Sequence, residues 1–503
     1  MNRNILEYLE QTASCFPNKI AFEDERTSCT FKELEQRAQK LGSVLAAKVS
    51  VRQPIPIFME KSINALAAFL GSVYAGCFYV LLDTRQPLIR LEQILNTLET
   101  NMIVTDQLHK GKLEKKGFAG KILCLEELEE ETADIAVLEK IRKQAADIDP
   151  LYGIFTSGST GIPKGVVVSH RSVIDFIDCF TELFQITDQD VIGNQAPFDF
   201  DVSVKDIYST LKTGATMSII PKRLFSFPTQ LIDYLCEKEV TTLIWAVSAL
   251  CMITTLKGFE YKIPGTVRKV LFSGEVMPMK HLNQWRESLP EAMFVNLYGP
   301  TEITCNCTYF IVDKTYEDIL PIGEPFPNEK VFLLDEQEQL VEKPGIYGEI
   351  CVSGTALSLG YYNSKEQTAK AFVQNPLNTR YAERIYRTGD LAYYNEENQL
   401  CFVGRKDCQI KHMGHRIELT EIESAIEKVE GVIRVCCVFD EANNKIVAYY
   451  EGNVEKRMIV KEIKLQLPAF MVPNVFRKVD SIPITKNGKM DRTLLKRMCT
   501  EEL

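Results

Sequence analysis

Residues 151–168 constrain the fold of this chain more than any other stretch. Leu151-Tyr152-Gly153-Ile154-Phe155 is a short apolar and aromatic run with strand character, and Val166-Val167-Val168 resumes an extended run. Between them lie Thr156, Ser157, Gly158, Ser159, Thr160, Gly161, Ile162, Pro163, Lys164 and Gly165. A strand that opens into hydroxyls and glycines can wrap N–H and O–H donors around phosphate oxygens, because glycine permits close backbone approach. Lys164 adds a mobile positive charge. The spacing is not that of a Walker A loop, since Gly161 is followed by Ile162 rather than by Lys-Ser or Lys-Thr. A flexible Gly/Ser linker is the ordinary meaning of such composition, but strand-like runs flank this loop too tightly for that.

With 503 residues, the chain exceeds one compact core, and a prior of about 150 residues per domain suggests roughly three structural units. A net charge of −10 argues against nucleic acid as a partner. The start, Met1-Asn2-Arg3-Asn4-Ile5-Leu6-Glu7, lacks the apolar core of a signal peptide. The fifteen cysteines contain no Cys-x-x-Cys pair, so they read as reduced thiols of a cytoplasmic protein. Ser62 to Leu82 carries no charge and imitates a membrane span. Its glycines and polar residues instead predict a helix over Ile63–Tyr74 and a buried strand Phe78–Leu82.

The rest alternates between helix and strand periods, as in an α/β layer. A capped amphipathic helix is expected over 30–48, and the charged tract 113–145 as surface helix and loop. Ser172–Phe184 looks helical. Asp201 stands among apolar residues at the start of another helix, either as its cap or as a carboxylate placed for a substrate ammonium. Residues 267–300 read as strand Lys269–Phe272, turn Ser273-Gly274-Glu275, helix 279–288 and strand Met293–Leu297. That strand runs into Tyr298-Gly299-Pro300-Thr301-Glu302, which suits a ligand crevice at a strand's carboxyl end. A β-rich stretch covers 347–412. After Asp407 the pattern resets to helix Ile422–Val429, strands Ile433–Phe439 and Lys445–Tyr450, and helix Met458–Leu467. Asn487-Gly488 near the end is a tight-turn signal.

These motifs, in this order, resemble the adenylate-forming enzymes, in particular nonribosomal peptide synthetase adenylation domains and D-alanine–carrier protein ligases. The matching stretches are Thr156–Gly165, Phe200-Asp201-Val202-Ser203-Val204, Asn296–Glu302, Tyr386–Asp390, Gly404–Glu423, Leu467–Pro473 and Asn487-Gly488-Lys489. The resemblance implies an α/β fold: a large N-terminal domain (1–406) of stacked α/β sheets with a β-rich subdomain, and a small mobile α+β C-terminal domain (407–503). It implies ATP and Mg²⁺ as cofactors. Tyr298 and Gly299 would line the adenine, with Asn296 near its amino group. Asp390 and Arg405 would take the ribose. Thr301, Lys164 and the loop Thr156, Ser157, Gly158, Ser159, Thr160, Gly161 would meet the phosphates. Glu302 would help hold Mg²⁺, Lys489 would bridge carboxylate and α-phosphate, and Asp407 would be the hinge. The stretch Lys411-His412-Met413-Gly414 would line the thiol's path, though it departs from the commoner Ile-Arg-Gly spelling. His412 and His415 read as a surface turn rather than a metal site.

By the same resemblance Asp201 would hold the α-ammonium, and Val202, Lys205, Ser248, Leu271, Ser273, Gly274, Leu297, Cys305 and Asn306 would wall the substrate. Several are bulky, so a small amino acid of either chirality is expected: serine, alanine or cysteine, with an acidic substrate left open. Lys205 either points to solvent, as most lysines do, or neutralises an acidic side chain. Only fourteen residues follow Lys489, so the expected partner is a carrier protein in trans, or free coenzyme A in its place, with the chain monomeric and away from membranes. Three alternatives stand beside this reading: a D-alanine ligase, although those enzymes carry cysteine where Ser273 stands; an acyl- or aryl-CoA ligase, against which Asp201 speaks; and a non-catalytic binding relative.

Overall fold

The computed structural model describes residues 2–128, 131–158, 162–316, 319–406, 409–412, 414–484 and 490–501. They form two compact units.

The larger unit comprises Met1–Asp83, Asn101–Ile154 and Val166–Lys406. Its nine-stranded sheet runs Glu324–Pro325, Thr308–Ile311, Met293–Tyr298, Lys269–Ser273, Thr242–Ala246, Val191–Asn194, Thr216–Ile219, Ile20–Glu23, Ser28–Thr30. The middle strands are parallel, and Ala246, Ser273 and Leu297 fall in register at the carboxyl ends of three neighbours. This places Ser248, Gly274 and Gly299 at the same edge, where open α/β sheets bind ligands.

A seven-stranded sheet runs Gly360–Tyr361, Lys164–Ser169, Pro150–Thr156, Phe78–Leu81, Pro54–Phe58, Met102–Thr105, Lys121–Cys124. The charge-free run 62–82 resolves into the helix Ile63–Tyr74, buried on nearly every face, and the strand Phe78–Leu81. A helix apolar all round belongs inside a core. No helix of the described residues is long and apolar enough to cross a membrane. The helix Phe31–Ala46 starts at a complete capping box, Thr30 with Glu33. A third, antiparallel sheet contains Glu329–Leu334, Gly348–Gly354, Arg384–Tyr394 and Leu400–Arg405.

One local expectation needs correction. The charged tract 113–145 is not only surface helix and loop, because Lys121–Cys124 forms the outer strand beside Met102–Thr105. The four-residue run Lys-Ile-Leu-Cys suffices where a parallel neighbour supplies the ladder.

The smaller unit comprises Asp407–Leu503 together with Thr84–Thr100 and Phe155–Gly165, two segments expected in the first domain. Its hairpin pairs Gln409–His412 with His415–Glu418. The helix Leu419–Glu427 packs on the strands Val432–Asp440 and Lys445–Gly452, and Val475–Lys478 adds a third, parallel strand that the sequence pattern missed. Ile422, Ile426, Val435, Ile446, Ile459 and Ile463 form its core.

Candidate functional site

The residues expected to wall the substrate lie where the parallel strands of the larger unit end. Asp201 precedes the helix Val202–Thr213 with φ −61° and ψ −24°, and its side chain makes no capping bond. An N-cap residue is normally extended, with its side chain bonded to the N2 or N3 amide, so capping does not account for this aspartate. Val202 opens the same helix, and Lys205 follows one turn later.

Lys205 does not reach solvent. It is fully buried, and its Nζ donates to Asn306 Oδ1 at 2.6 Å. Burial lowers its pKa, against the fields of Cys305, Asp201 and Asp206. Asn306 is presented by a tight turn in which Thr304 (φ 55°) and Cys305 (φ 74°) are both left-handed. Such backbone costs on the order of 1–3 kcal/mol per residue and is retained where the surroundings demand it. The Cys305 thiol donates to the Asp201 carbonyl at 3.0 Å, and burial drives its pKa up, so it stays protonated. Gly299 allows this turn to close: a Cβ there would lie 2.5 Å from Asn306 Cα. Leu271, Ser273 and Leu297 are buried beside it, and Ser248 stands in the first turn of the helix Val247–Thr255. Gly274 has φ +101° with open space where a side chain would be.

Beneath the wall lies a buried polar layer absent from the sequence-based expectations. Asp206 accepts from Asn194 Nδ2 at 2.6 Å, and burial pushes its pKa up to about 7. Lys61 donates to the Asn194 and Gln195 carbonyls at 3.2 and 3.1 Å, and burial lowers its pKa to about 7. Only the fold gathers these residues.

The expected nucleotide residues of this unit also meet. Tyr298 donates to Asp390 Oδ2 at 2.5 Å, and Arg405, paired with Asp390 across two strands, bonds Asp390 Oδ1 and the Thr388 carbonyl. Burial and the Asp390 charge hold the Tyr298 phenol well above its usual pKa, so it remains a donor. Asn296 donates to the Pro321 carbonyl at 2.8 Å, which fixes its amide and orients Oδ1 as an acceptor. Thr301 and Glu302 lie in a short 3₁₀ turn. Glu302 is fully buried and accepts from Tyr361 at 2.8 Å, a partner that no sequence motif announced.

Among the described residues no group of three or more His, Cys, Asp or Glu side chains is arranged to hold a metal. A Mg²⁺ bound through one or two carboxylates plus substrate phosphates needs no such group. Glu302 fits that role as the carboxylate in the turn after Tyr298.

The phosphate-loop residues belong to the smaller unit, and there their donors are engaged. Ser157 donates to the Arg416 carbonyl at 2.9 Å and accepts from the Glu418 amide at 3.1 Å. Gly158 N donates to Glu421 Oε2 at 3.1 Å, and Lys164 lies 3.6 Å from Glu418. Glu421 also pairs with buried Arg90 at 2.5 Å. Thr156 Oγ1 is buried without a hydrogen-bond partner among the described residues. Arg90, Glu418 and Glu421 were not singled out from sequence, because a carboxylate on a charged helix normally signals only solvent. His412 is buried against Phe439 with Nδ1 3.0 Å from Asn444, and His415 stacks on Phe470, so His412 is not part of an exposed turn. Ser159, Thr160, Gly161, Asp407, Met413 and Lys489 lie outside the described residues.

Residues 9–362 match the family model described as AMP-binding enzyme. The chain is 31% identical to tyrocidine synthase 1 of Brevibacillus parabrevis over 98% of its own length and 45% of that synthase's. It spans only 19% and 14% of two peptide synthases of Bacillus subtilis, each 32% identical to it over the shared region. To zwittermicin A synthase ZmaJ of Bacillus cereus it is 32% identical over 98% of the chain and 95% of ZmaJ. Among solved structures, holo-PA1221, an NRPS protein containing adenylation and PCP domains, superposes with a TM-score of 0.84 at 24% identity, covering 98% of this chain and 84% of that one. That likeness speaks for the fold, a large α/β N-terminal part and a smaller C-terminal part. The chain belongs to the AMP-binding enzymes, the adenylate-forming family, and its homologues are adenylation domains of nonribosomal peptide synthetases.

Proposed function

We propose that this chain activates a small amino acid with ATP and passes it to the phosphopantetheine thiol of a separate carrier protein. In the first step a substrate carboxylate oxygen attacks the α-phosphorus, the bond to the β-phosphate oxygen breaks, and aminoacyl-AMP and pyrophosphate result. In the second the thiol attacks the acyl carbon, AMP leaves, and the thiol proton is released.

The single observation that carries the amino-acid reading is Asp201, a carboxylate at the start of a helix that it does not cap. A carboxylate beside a pocket supplies the charge-assisted bond that an α-ammonium needs, and a fatty or aryl acid has no use for it. The nucleotide side rests on the Tyr298–Asp390–Arg405 cluster, in which Asp390 and Arg405 would hold the ribose and Tyr298 would stack on adenine, with Asn296 Oδ1 accepting from its amino group. The barrier is the repulsion of one anion by another, so positioned cations and aimed donors offset it most as charge develops on the α-phosphate. Lys489 would bridge carboxylate and α-phosphate, and residues 407–503 would turn about Asp407 to bring it in and to admit the thiol. Glu302 would hold Mg²⁺, which when bound neutralises phosphate charge. Transfer to a carrier protein draws support from PA1221, a solved NRPS protein containing adenylation and PCP domains.

The test is amino-acid-dependent ATP–pyrophosphate exchange across L- and D-amino acids. One small amino acid should stand out, and Lys489→Ala should remove most of the signal. Exchange with none of them overturns the reading.

A further inference from the structure

A cavity of about 370 Å³ opens between two helices of the larger unit, and none of its described lining residues belongs to the expected nucleotide or substrate set. It arises from how the helices pack. Phe31–Ala46 and Ile63–Tyr74 touch where Gly42 and Gly71 leave no room for a side chain: a Cβ at Gly42 would lie 2.6 Å from Tyr74 Cβ, and one at Gly71 2.9 Å from Leu41 Cβ. Helices that approach this closely at one point cross there and diverge beyond it. On the N-terminal side of the contact the gap is bounded by Arg37, Lys40 and Leu41 of the first helix and by Asn64 and Ala67 of the second. The 3₁₀ turn Leu125–Leu128 closes the third side. The volume lies within the range of small-molecule sites, about 300–1,000 Å³.

The floor is apolar and the rim is basic. Leu41 and Ala67 are buried, and Leu125 and Leu128 pack half-buried on the core. Arg37 is exposed, and among the described residues no carboxylate lies within 4.0 Å of it. Glu33, one turn earlier, is engaged in the capping box with Thr30. Glu126, the acid among the described lining residues, accepts from the Gln107 amide at 2.9 Å and the Cys124 thiol at 3.1 Å. The Asn64 side chain makes no hydrogen bond among the described residues. In a chain of net charge −10, an arginine standing over an apolar cavity without an acid of its own is a local exception.

We propose that this cavity is a second ligand site, which takes a small amphiphilic carboxylate with its anionic end on Arg37 and Asn64 and its hydrocarbon body against Leu41, Ala67, Leu125 and Leu128. A guanidinium presents a planar fork matched to a carboxylate, and the floor contributes through the apolar area it removes from water. An inorganic anion would use only the rim, and an alkyl cation only the floor, so neither substitutes for the pair. The site is independent of the function proposed above, since it shares no residue with it.

The full-length protein would be titrated calorimetrically with hexanoate and with phenylacetate, using hexylammonium and inorganic phosphate as controls, each with and without saturating AMP. At least one carboxylate should bind about ten-fold or more tightly than either control, and AMP should leave that affinity unchanged. Arg37→Gln removes the charge from an exposed position, and Asn64→Phe fills the cavity from its half-buried rim. Each should weaken carboxylate binding by about ten-fold or more, as the loss of a charged hydrogen bond or of the binding volume requires. Both should keep the wild-type thermal midpoint and ATP–pyrophosphate exchange. Four results overturn the proposal: no binding of either carboxylate, equal binding of a control, displacement by AMP, or unchanged affinity in either variant. A chain inactive in exchange can still pass this test, so the site and the proposed activity fail separately.

Discussion

The amino-acid wall of the larger unit and the phosphate loop of the smaller one satisfy their polar groups in opposite ways. In the wall, Lys205 bonds Asn306 and Cys305 bonds the Asp201 carbonyl, and Lys205, Asn306 and Cys305 are buried. In the loop, Ser157, Gly158 and Lys164 face Glu418, Glu421 and the Arg416 carbonyl. These partners are anions or carbonyl dipoles, the chemistry that a phosphate also offers. In the proposed function the wall would reject by being full, whereas the loop would accept by exchanging one anion for another. Specificity and nucleotide binding then answer to different substitutions.

Acid sets the upper bound on how far the wall-bearing unit can be loosened. Burial, reinforced by Arg142, lowers the pKa of His170 to about 3 from 6.5, and its Nδ1 accepts from the Ile5 amide at 3.2 Å. The folded pKa is depressed, so the unfolded chain takes the proton first. Stability is full above pH 6.5 and falls progressively toward pH 3, by up to about 5 kcal/mol. Urea midpoints measured from pH 7.5 to 4 should drop in wild type and drop less in His170→Gln. Equal slopes would remove His170 from the account.

In the loop-bearing unit the largest effect should come from Glu421→Gln, which strips the charge facing Arg90, whose side chain is 6% exposed. Breaking a buried pair from one side costs about 3–5 kcal/mol. Hydrogen exchange over 84–100 and 409–428 should accelerate while that of the wall strands Lys269–Ser273 and Met293–Tyr298 does not. Uniform acceleration would erase the distinction between the two regions.

Asp201→Ala should lower amino-acid-dependent exchange by about 10- to 100-fold, as expected when a hydrogen bond to a charged group is lost, and leave the KM for ATP near wild type. A change in the KM for ATP alone would reassign Asp201. The smallest effect, about 1–3 kcal/mol, is expected for Gly299→Ala, whose methyl meets the Asn306 backbone. It should appear as a lower urea midpoint, and an unchanged midpoint would show that the turn has room.

Much of this was legible in the sequence where local pattern and tertiary fate coincide. The helix Met279–Ser288 and the strands Lys269–Ser273 and Met293–Tyr298 were found within a residue, because their apolar periods are those of a buried layer. Tyr298, Asp390 and Arg405, expected around one nucleotide, do converge. The losses share one cause. The burial of Lys205 depends on an amide 101 positions away, and the role of Glu421 on Arg90, 331 positions away. Neither partner leaves a local signal. Lys121–Cys124 and Val475–Lys478 escaped for a related reason, since four residues carry too little periodicity until a neighbouring strand supplies the ladder.

The central claim, that the activated carboxylate belongs to a small amino acid, is tested most directly by trapping the adenylate. The chain would be incubated with ATP, Mg²⁺ and an equimolar mixture of amino acids and simple fatty and aryl acids, then quenched with hydroxylamine. The hydroxamates would be identified by mass spectrometry. The account predicts one small aminoacyl hydroxamate, lost in Asp201→Ala. A fatty or aryl hydroxamate alone, insensitive to Asp201→Ala, would contradict it.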